Sequence, residues 1–202
     1  MKQSGLPYIV LMCLAARKAG APVKWIEDRL EHLTAATSAT ARHTTIEAAV
    51  QADGKITALR YDQIDECGAY LRAPEPATFY RMHGALTGAY DIPNLAVRNR
   101  VVLTNKTPTG LVRGFGGPQV YFALERLVQR IAIELKLDPI DVYRRNFVQK
   151  NQFPYRATAG ALLDSGDYHA ALAIGTGDSR LARLRAKQDA ARGEDRLYGI
   201  GF

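Results

Sequence analysis

Apolar and polar positions alternate most cleanly in "HTTIEAAVQADGKITALRYDQIDECGAY" (43–70). Ile46, Ala48 and Val50 take turns with polar neighbours, and Ile56, Ala58 and the stretch to Tyr61 do so less regularly. Asp53-Gly54 between them is a turn signal, so a β-hairpin is predicted. "NLAVRNRVVLTN" (94–105) alternates well enough for a further strand, and "PVKWI" (22–26) reads as a short buried one. The closing "RLYGIGF" (196–202) reads as an apolar strand without a neighbour.

Elsewhere the period is helical. Residues 7–19 form one such stretch, with Pro7 in the first turn and Gly20 just past the end. After the proline-bearing "RAPEP" (72–76), a helix is expected over 77–87. Val120, Leu124, Leu127, Val128, Ile131 and Leu135 recur at helical spacing behind Pro118. Asp138 can cap a further helix beginning at Pro139, with Asp141 in its first turn. A strongly charged helix is expected over 179–193. A hairpin and single strands interleaved with helices predict an α+β fold.

Composition narrows the classes. A chain of 202 residues, 47% hydrophobic and 23% charged, can bury a sizeable core. No apolar run approaches the roughly 18 residues of a membrane span, because Arg17 and Lys18 stop the best candidate, and no secretory leader is recognisable. The net charge of +7 permits acidic partners. The basic residues are scattered or gathered in the tail without an aromatic stripe, which argues against nucleic-acid binding. Cys13 and Cys67 fall in different predicted elements and form no metal-spaced set. That suits a reducing cytoplasm, with Cys13 as a buried thiol on its apolar helix.

The densest chemistry lies in "VRGFGGPQ" (112–119). It is no P-loop, lacking the lysine, and no dinucleotide fingerprint, since Gln119 stands where a third glycine belongs. Glycines admit positive φ and bring backbone N–H groups close to a ligand, while Pro118 starts a helix whose positive end faces the loop. Arg113 adds charge and Gln119 can donate and accept, which suits an anionic or oxygen-rich ligand with Phe115 packed on something flat. A tight turn into a helix with Phe115 in the core fits the same residues.

"TNKTPTGLVRGFGGPQ" (104–119) resembles the molybdenum-site segment of the xanthine dehydrogenase and aldehyde oxidase family. "APVKWIEDR" (21–29), "GAYDIPN" (88–94), "FALERLVQRIAIELKLDPIDVYRRNF" (122–147) and "SGDYHAAL" (165–172) are similar to other stretches of its large, molybdopterin-binding subunit, in the same order. The resemblance implies that residues 1–150 carry the molybdenum-site part and that 151–202 begin a following segment. It implies hydroxylation of an aldehyde or N-heteroaromatic carbon, with water as the oxygen source. The cofactor would be molybdenum with molybdopterin, as mononucleotide or dinucleotide, the cytosine dinucleotide among the options. Electrons would pass to iron–sulfur (2Fe–2S) clusters and FAD on small and medium partner subunits.

Carried over by position, the backbone of Gly110, Leu111, Val112, Arg113 and Gly114 would face the metal's oxygen ligands, and Phe115 would pack on the substrate ring. Gln119 would stiffen the loop. Arg81 would stabilise charge developing on the substrate, although an ordinary helix-surface arginine fits as well. His83 is read as a satisfied structural histidine, Glu27 and Asp28 as caps, and Asp65 and Glu66 as facing opposite ways on a strand.

The chain also departs from the family. Met1 falls where a GGFG loop would be ending, before the matching Lys2. Gln3 replaces a substrate-contacting glutamate, which counts against xanthine. Gly114 replaces the cysteine of carbon monoxide dehydrogenases. The family's base glutamate comes from a distant part of the subunit and has no counterpart here. The expectation is therefore a partial molybdopterin subunit, inactive unless a second polypeptide completes it; an inactive remnant or interaction module is the alternative.

Overall fold

The computed structural model describes residues 6–71, 81–114, 116–177 and 179–201. Its centre is a three-stranded sheet in the order β1 (Ala41–Val50), β2 (Ile56–Glu66), β3 (Asn94–Val102). β1 and β2 are the expected antiparallel hairpin, with a register shift at Ala49/Val50. The turn between them takes Gly54 to φ +84° and is closed by the Lys55 N–H donating to Asp53 Oδ1 at 3.1 Å. β3 lies parallel to β2, which requires the intervening chain to cross back over the sheet.

Helix α3 (Gly117–Leu135) packs against the hairpin, and α4 (Pro139–Asn146) packs against α3. Both follow from the apolar spacing. Val120, Leu124 and Val128 are fully buried on one stripe of α3 and meet Ile56, Leu59 and Tyr61 of β2 in one core. Asp138 caps α4 as its sequence predicts, accepting from the Ile140 N–H at 2.9 Å. Asn146 at the end of α4 is fully buried. Its Oδ1 accepts from the Ile56 N–H, and its Nδ2 donates to the carbonyls of Gly54 and Val142, all at 2.8 Å. One side chain thus ties the hairpin turn to the helix pair.

Around this core lie α1 (Leu6–Ala19), α2 (Arg29–Ala35), the short ribbon of β4 (Tyr155–Arg156) and β5 (Leu162–Leu163), α5 (Tyr168–Thr176) and α6 (Arg180–Gly193). Three expectations are corrected. Residues 22–26 form no strand: nothing pairs with them, and Trp25 tilts onto Tyr8 with ring centroids 4.8 Å apart. Residues 196–201 form no strand either, and Leu197 is fully exposed. Cys13 is exposed, because the apolar surface of α1 has no cover among the described residues, whereas Cys67 is buried. The helix expected over 77–87 lies partly outside the described residues, and Arg81–Ala85 is a 3-10 turn. Asp28 does cap, though it caps the unforeseen α2, in a capping box with Glu31. No described helix is long and apolar enough to cross a membrane.

Candidate functional site

The glycine loop is held at its entry by backbone pairing. Thr109 forms an isolated parallel bridge with Ser38, its N–H donates to the Cys67 carbonyl at 3.1 Å, and the Gly110 N–H donates to the Ser38 carbonyl at 2.9 Å. A Cβ on Gly110 would lie 2.0 Å from Thr37 Oγ1 and 2.3 Å from Thr37 Cβ, so only glycine permits this approach. Gly110 is buried, and its amide is therefore engaged within the protein.

Beyond Gly110 the chain changes character. Leu111 is half-buried, while Val112, Arg113 and Gly114 are exposed. The N–H groups of residues 111–114 donate to no backbone carbonyl among the described residues. Gly114 at φ +107° and Gly116 at φ +83° turn the chain into α3, and the Gly117 N–H closes the turn on the Gly114 carbonyl at 2.8 Å. Gly116 starts α3 without a side-chain cap, so the positive end of that helix faces the same space.

A cleft of about 100 Å³ opens here between the loop and the segment leading into β1. Thr40, Gly110, Val112, Arg113 and Gln119 contribute to its walls, and among the described residues no acidic side chain lines it. Gln119 is oriented by its Nε2, which donates to the Thr40 carbonyl at 2.9 Å, while its buried Oε1 has no hydrogen-bond partner among the described residues. Among the described residues the cleft therefore offers backbone donors that no carbonyl engages, one positive side chain and one unfilled acceptor. Such a set complements an oxygen-rich ligand that also carries an N–H or O–H.

Phe115 lies outside the described residues, and so does the side chain of Arg81. The Arg81–Ala85 turn itself is placed: a Cβ on Gly117 would lie 3.6 Å from Met82 Cε, so this turn abuts the start of α3 and the exit of the loop. His83 corrects an expectation. Its Nε2 is buried without a partner among the described residues, and burial, reinforced by the charge of Arg42, holds its pKa below the usual range. A neutral imidazole follows.

The three strands share a buried polar cluster that residue spacing along the chain does not reveal. Arg42 of β1 donates from Nε to Asp65 Oδ1 at 2.7 Å and from Nη2 to Oδ2 at 3.0 Å, with both side chains almost wholly buried. Asn99 of β3 donates to the same carboxylate at 2.9 Å. Glu66 points the other way, to Thr104 and Lys106, both at 2.8 Å, as strand alternation requires. Among the described residues no three His, Cys, Asp or Glu side chains gather to hold a metal directly.

Residues 1–147 match the family model of the molybdopterin cofactor-binding domain. The chain is 34% identical to the carbon monoxide dehydrogenase large chain of Hydrogenophaga pseudoflava, over 97% of this chain and 25% of that protein. It is also 34% identical to the nicotine 6-hydroxylase large subunit of Paenarthrobacter nicotinovorans, over 97% of this chain and 24% of that one. Among solved structures, quinoline 2-oxidoreductase from Pseudomonas putida 86 superposes with a TM-score of 0.85 at 32% identity, covering 93% of this chain and 24% of that one. Carbon monoxide dehydrogenase from Oligotropha carboxidovorans follows with a TM-score of 0.79 at 34% identity, covering 91% and 23%. The chain thus spans about a quarter of the length of the curated relatives it matches. It belongs to the molybdopterin cofactor-binding domain family and corresponds to part of the large subunit of the molybdenum hydroxylases.

Proposed function

We propose that this chain supplies the glycine-loop wall of the active site of a molybdenum hydroxylase acting on an aldehyde or an N-heteroaromatic carbon. The observation that carries the reading is the row of amides at residues 111–114 that donate to no backbone carbonyl among the described residues, beside a cleft whose described walls carry no acidic side chain. Leu111, Val112, Arg113 and Gly114 would hold the cofactor's oxygen atoms through backbone N–H groups, donors that need no reorganisation when charge builds up. Gln119, fixed by Thr40, would meet a cofactor N–H or O–H with its free Oε1. When bound, the molybdenum cofactor supplies the oxygen-transfer and electron-accepting chemistry.

Phe115 would orient a flat substrate, and Arg81, on the turn beside the loop exit, would stabilise its developing negative charge. Gly110 acts by close packing, since its amide is already engaged. Gly114 bears no side chain that could take the part of the cysteine in carbon monoxide dehydrogenases. The substrate class therefore follows the relatives named for nicotine and quinoline. Residues 1–150 form the site-bearing part and 151–202 open the following segment. The two are stitched by the Tyr155 hydroxyl on Asp91 at 2.9 Å and the Thr158 hydroxyl on the Ile92 carbonyl at 2.6 Å. Electrons would leave to iron–sulfur and FAD partner subunits in the cytoplasm.

The remaining walls of the pocket, including the base, come from the rest of a large subunit. Support comes from α1, where Ile9, Val10, Leu11 and Leu14 are each more than half exposed, and from Trp25, Ile26, Leu30 and Leu33 nearby in the chain. A helix apolar on several sides is one that is covered in its working state. Co-expression with the remaining portion of such a subunit tests this. A stable complex containing molybdenum and pterin is expected, and a stable complex with neither refutes the cofactor reading. A complex that holds cofactor yet oxidises no aldehyde or heterocycle would favour the inactive interaction module.

A further inference from the structure

Among the described residues, β1 stands at an edge of the sheet, paired with β2 on one side only. From Ala41 to Ala49 that pairing is uninterrupted, so the opposite edge is a straight row of main-chain donors and acceptors. Such an edge is a template for a further strand. A groove of about 450 Å³ accompanies it, lined by residues of β1, including Ile46, and of α3, and by none of β2 or β3. The groove therefore belongs to the open side of the sheet, where α3 reaches past the last strand.

On α3 two stripes face this groove. Ala123 and Leu127 form a small apolar one, and Phe122, Arg126 and Arg130 recur four residues apart along the next. Phe122 is 75% exposed, although it is a large apolar ring. The charges are unevenly committed. Arg42 is bound to Asp65, Arg130 reaches the exposed Glu134, and Arg126 makes no ion pair among the described residues. Among the described residues no acidic side chain lines the groove.

We propose that this edge and groove dock an extended, acidic segment of a partner protein, which adds to β1 as a fourth strand. Its main chain would pair with β1. Its groove-facing side chains would set carboxylates on Arg126 and Arg130 and an apolar group over Leu127 and Phe122. The spacings agree: residues four apart on a helix are separated by about 6 Å along the axis, and alternate residues of a strand by about 6.6 Å. A second copy of this chain is disfavoured, since a two-fold pairing sets one cationic rim against another. The proposal is independent of the cofactor reading.

The test uses the intact chain and a fluorescent peptide, acetyl-Thr-Glu-Thr-Glu-Thr-Val-Thr-Thr-amide, whose two Glu and one Val fall on one face of a strand, followed by anisotropy. Saturable binding is expected with a Kd below about 1 mM, the range of a weak strand addition. Replacing every Glu by Lys, or N-methylating alternate peptide amides, is expected to weaken it at least about tenfold. The double variant Arg126→Gln, Arg130→Gln, which sets no like charges four apart against Glu134, is expected to do the same with little change in melting temperature, as both side chains are exposed. No saturation at 1 mM, equal binding of the Lys peptide, or indifference to N-methylation overturns the proposal. So does a dimer in sedimentation equilibrium that the double variant abolishes, which would assign the edge to self-association.

Discussion

Replacing Gly110 by alanine puts one methyl group where Thr37 already is. The added Cβ would lie 2.0 Å from Thr37 Oγ1, 2.3 Å from its Cβ and 2.9 Å from its Cγ2. Real Cβ atoms do not approach so closely, and rotating Thr37 moves Oγ1 and Cγ2 but not its Cβ. The backbone must therefore separate, which breaks the 2.9 Å bond from the Gly110 N–H to the Ser38 carbonyl and disturbs the Ser38–Thr109 bridge. Overpacking of this kind costs about 1–3 kcal/mol, and a lost buried hydrogen bond adds about 1 kcal/mol. Glycyl flexibility in the unfolded chain offsets part of it, up to about 1 kcal/mol. The net expectation is a loss of about 1–3 kcal/mol, read as a shift of the urea midpoint at constant m-value. The second site makes the reasoning specific. Thr37→Gly removes all three clashing atoms and should restore much of the loss when combined with Gly110→Ala, whereas Thr37→Ala keeps the 2.3 Å neighbour and should not. Equal rescue by both, or no loss in Gly110→Ala, would refute the close-packing role.

Other expectations follow from single side chains. Asn146→Ala leaves the Ile56 N–H and the Gly54 carbonyl without their buried partner and should cost about 2–5 kcal/mol by chemical denaturation. Arg42→Ala strands a fully buried carboxylate and should cost about 3–5 kcal/mol, whereas replacing Arg42 and Asp65 together by apolar residues of similar volume should cost less. Burial raises the pKa of Glu125 above its ordinary 4.5, despite hydrogen bonds from the Tyr90 hydroxyl at 2.9 and 2.8 Å. The folded state then keeps the proton where the unfolded state has released it, so stability falls as pH rises from the ordinary value towards the folded one. Glu125→Gln should flatten that part of the pH–stability curve, and parallel curves for the two proteins would sink this assignment.

The hairpin, α3 and α4 were legible because their signals are local. Asp53-Gly54 sits between alternating runs, and Pro118 and Asp138 mark helix starts ahead of residues at helical spacing. What was not legible depends on partners distant in the chain. "PVKWI" has strand composition, yet a strand exists only where another pairs with it, and Trp25 instead rests on Tyr8. Cys13 lies on an apolar helix, but apolar character implies burial only when something covers it. The capping box Asp28–Glu31 is a local sign of α2. At the site, the glycine loop announces itself through composition, and the split between an engaged Gly110 amide and amides at 111–114 that meet no backbone carbonyl among the described residues does not. That split is set by Thr37 and Ser38, small residues about seventy positions upstream whose side chains signal nothing in a sequence.

The central claim is that backbone N–H groups of the glycine loop hold the molybdenum cofactor. Replacing the residue at Val112 by its α-hydroxy analogue turns one amide into an ester, removing a single donor while keeping the side chain. In the complex with the remaining portion of the large subunit, cofactor retention after dialysis should fall about ten- to a hundredfold, the loss of one hydrogen bond to a charged group. The same exchange at Gly110 should lower stability instead, because its N–H serves Ser38. If the ester at Val112 leaves molybdenum and pterin bound as tightly as the amide does, these amides do not hold the cofactor.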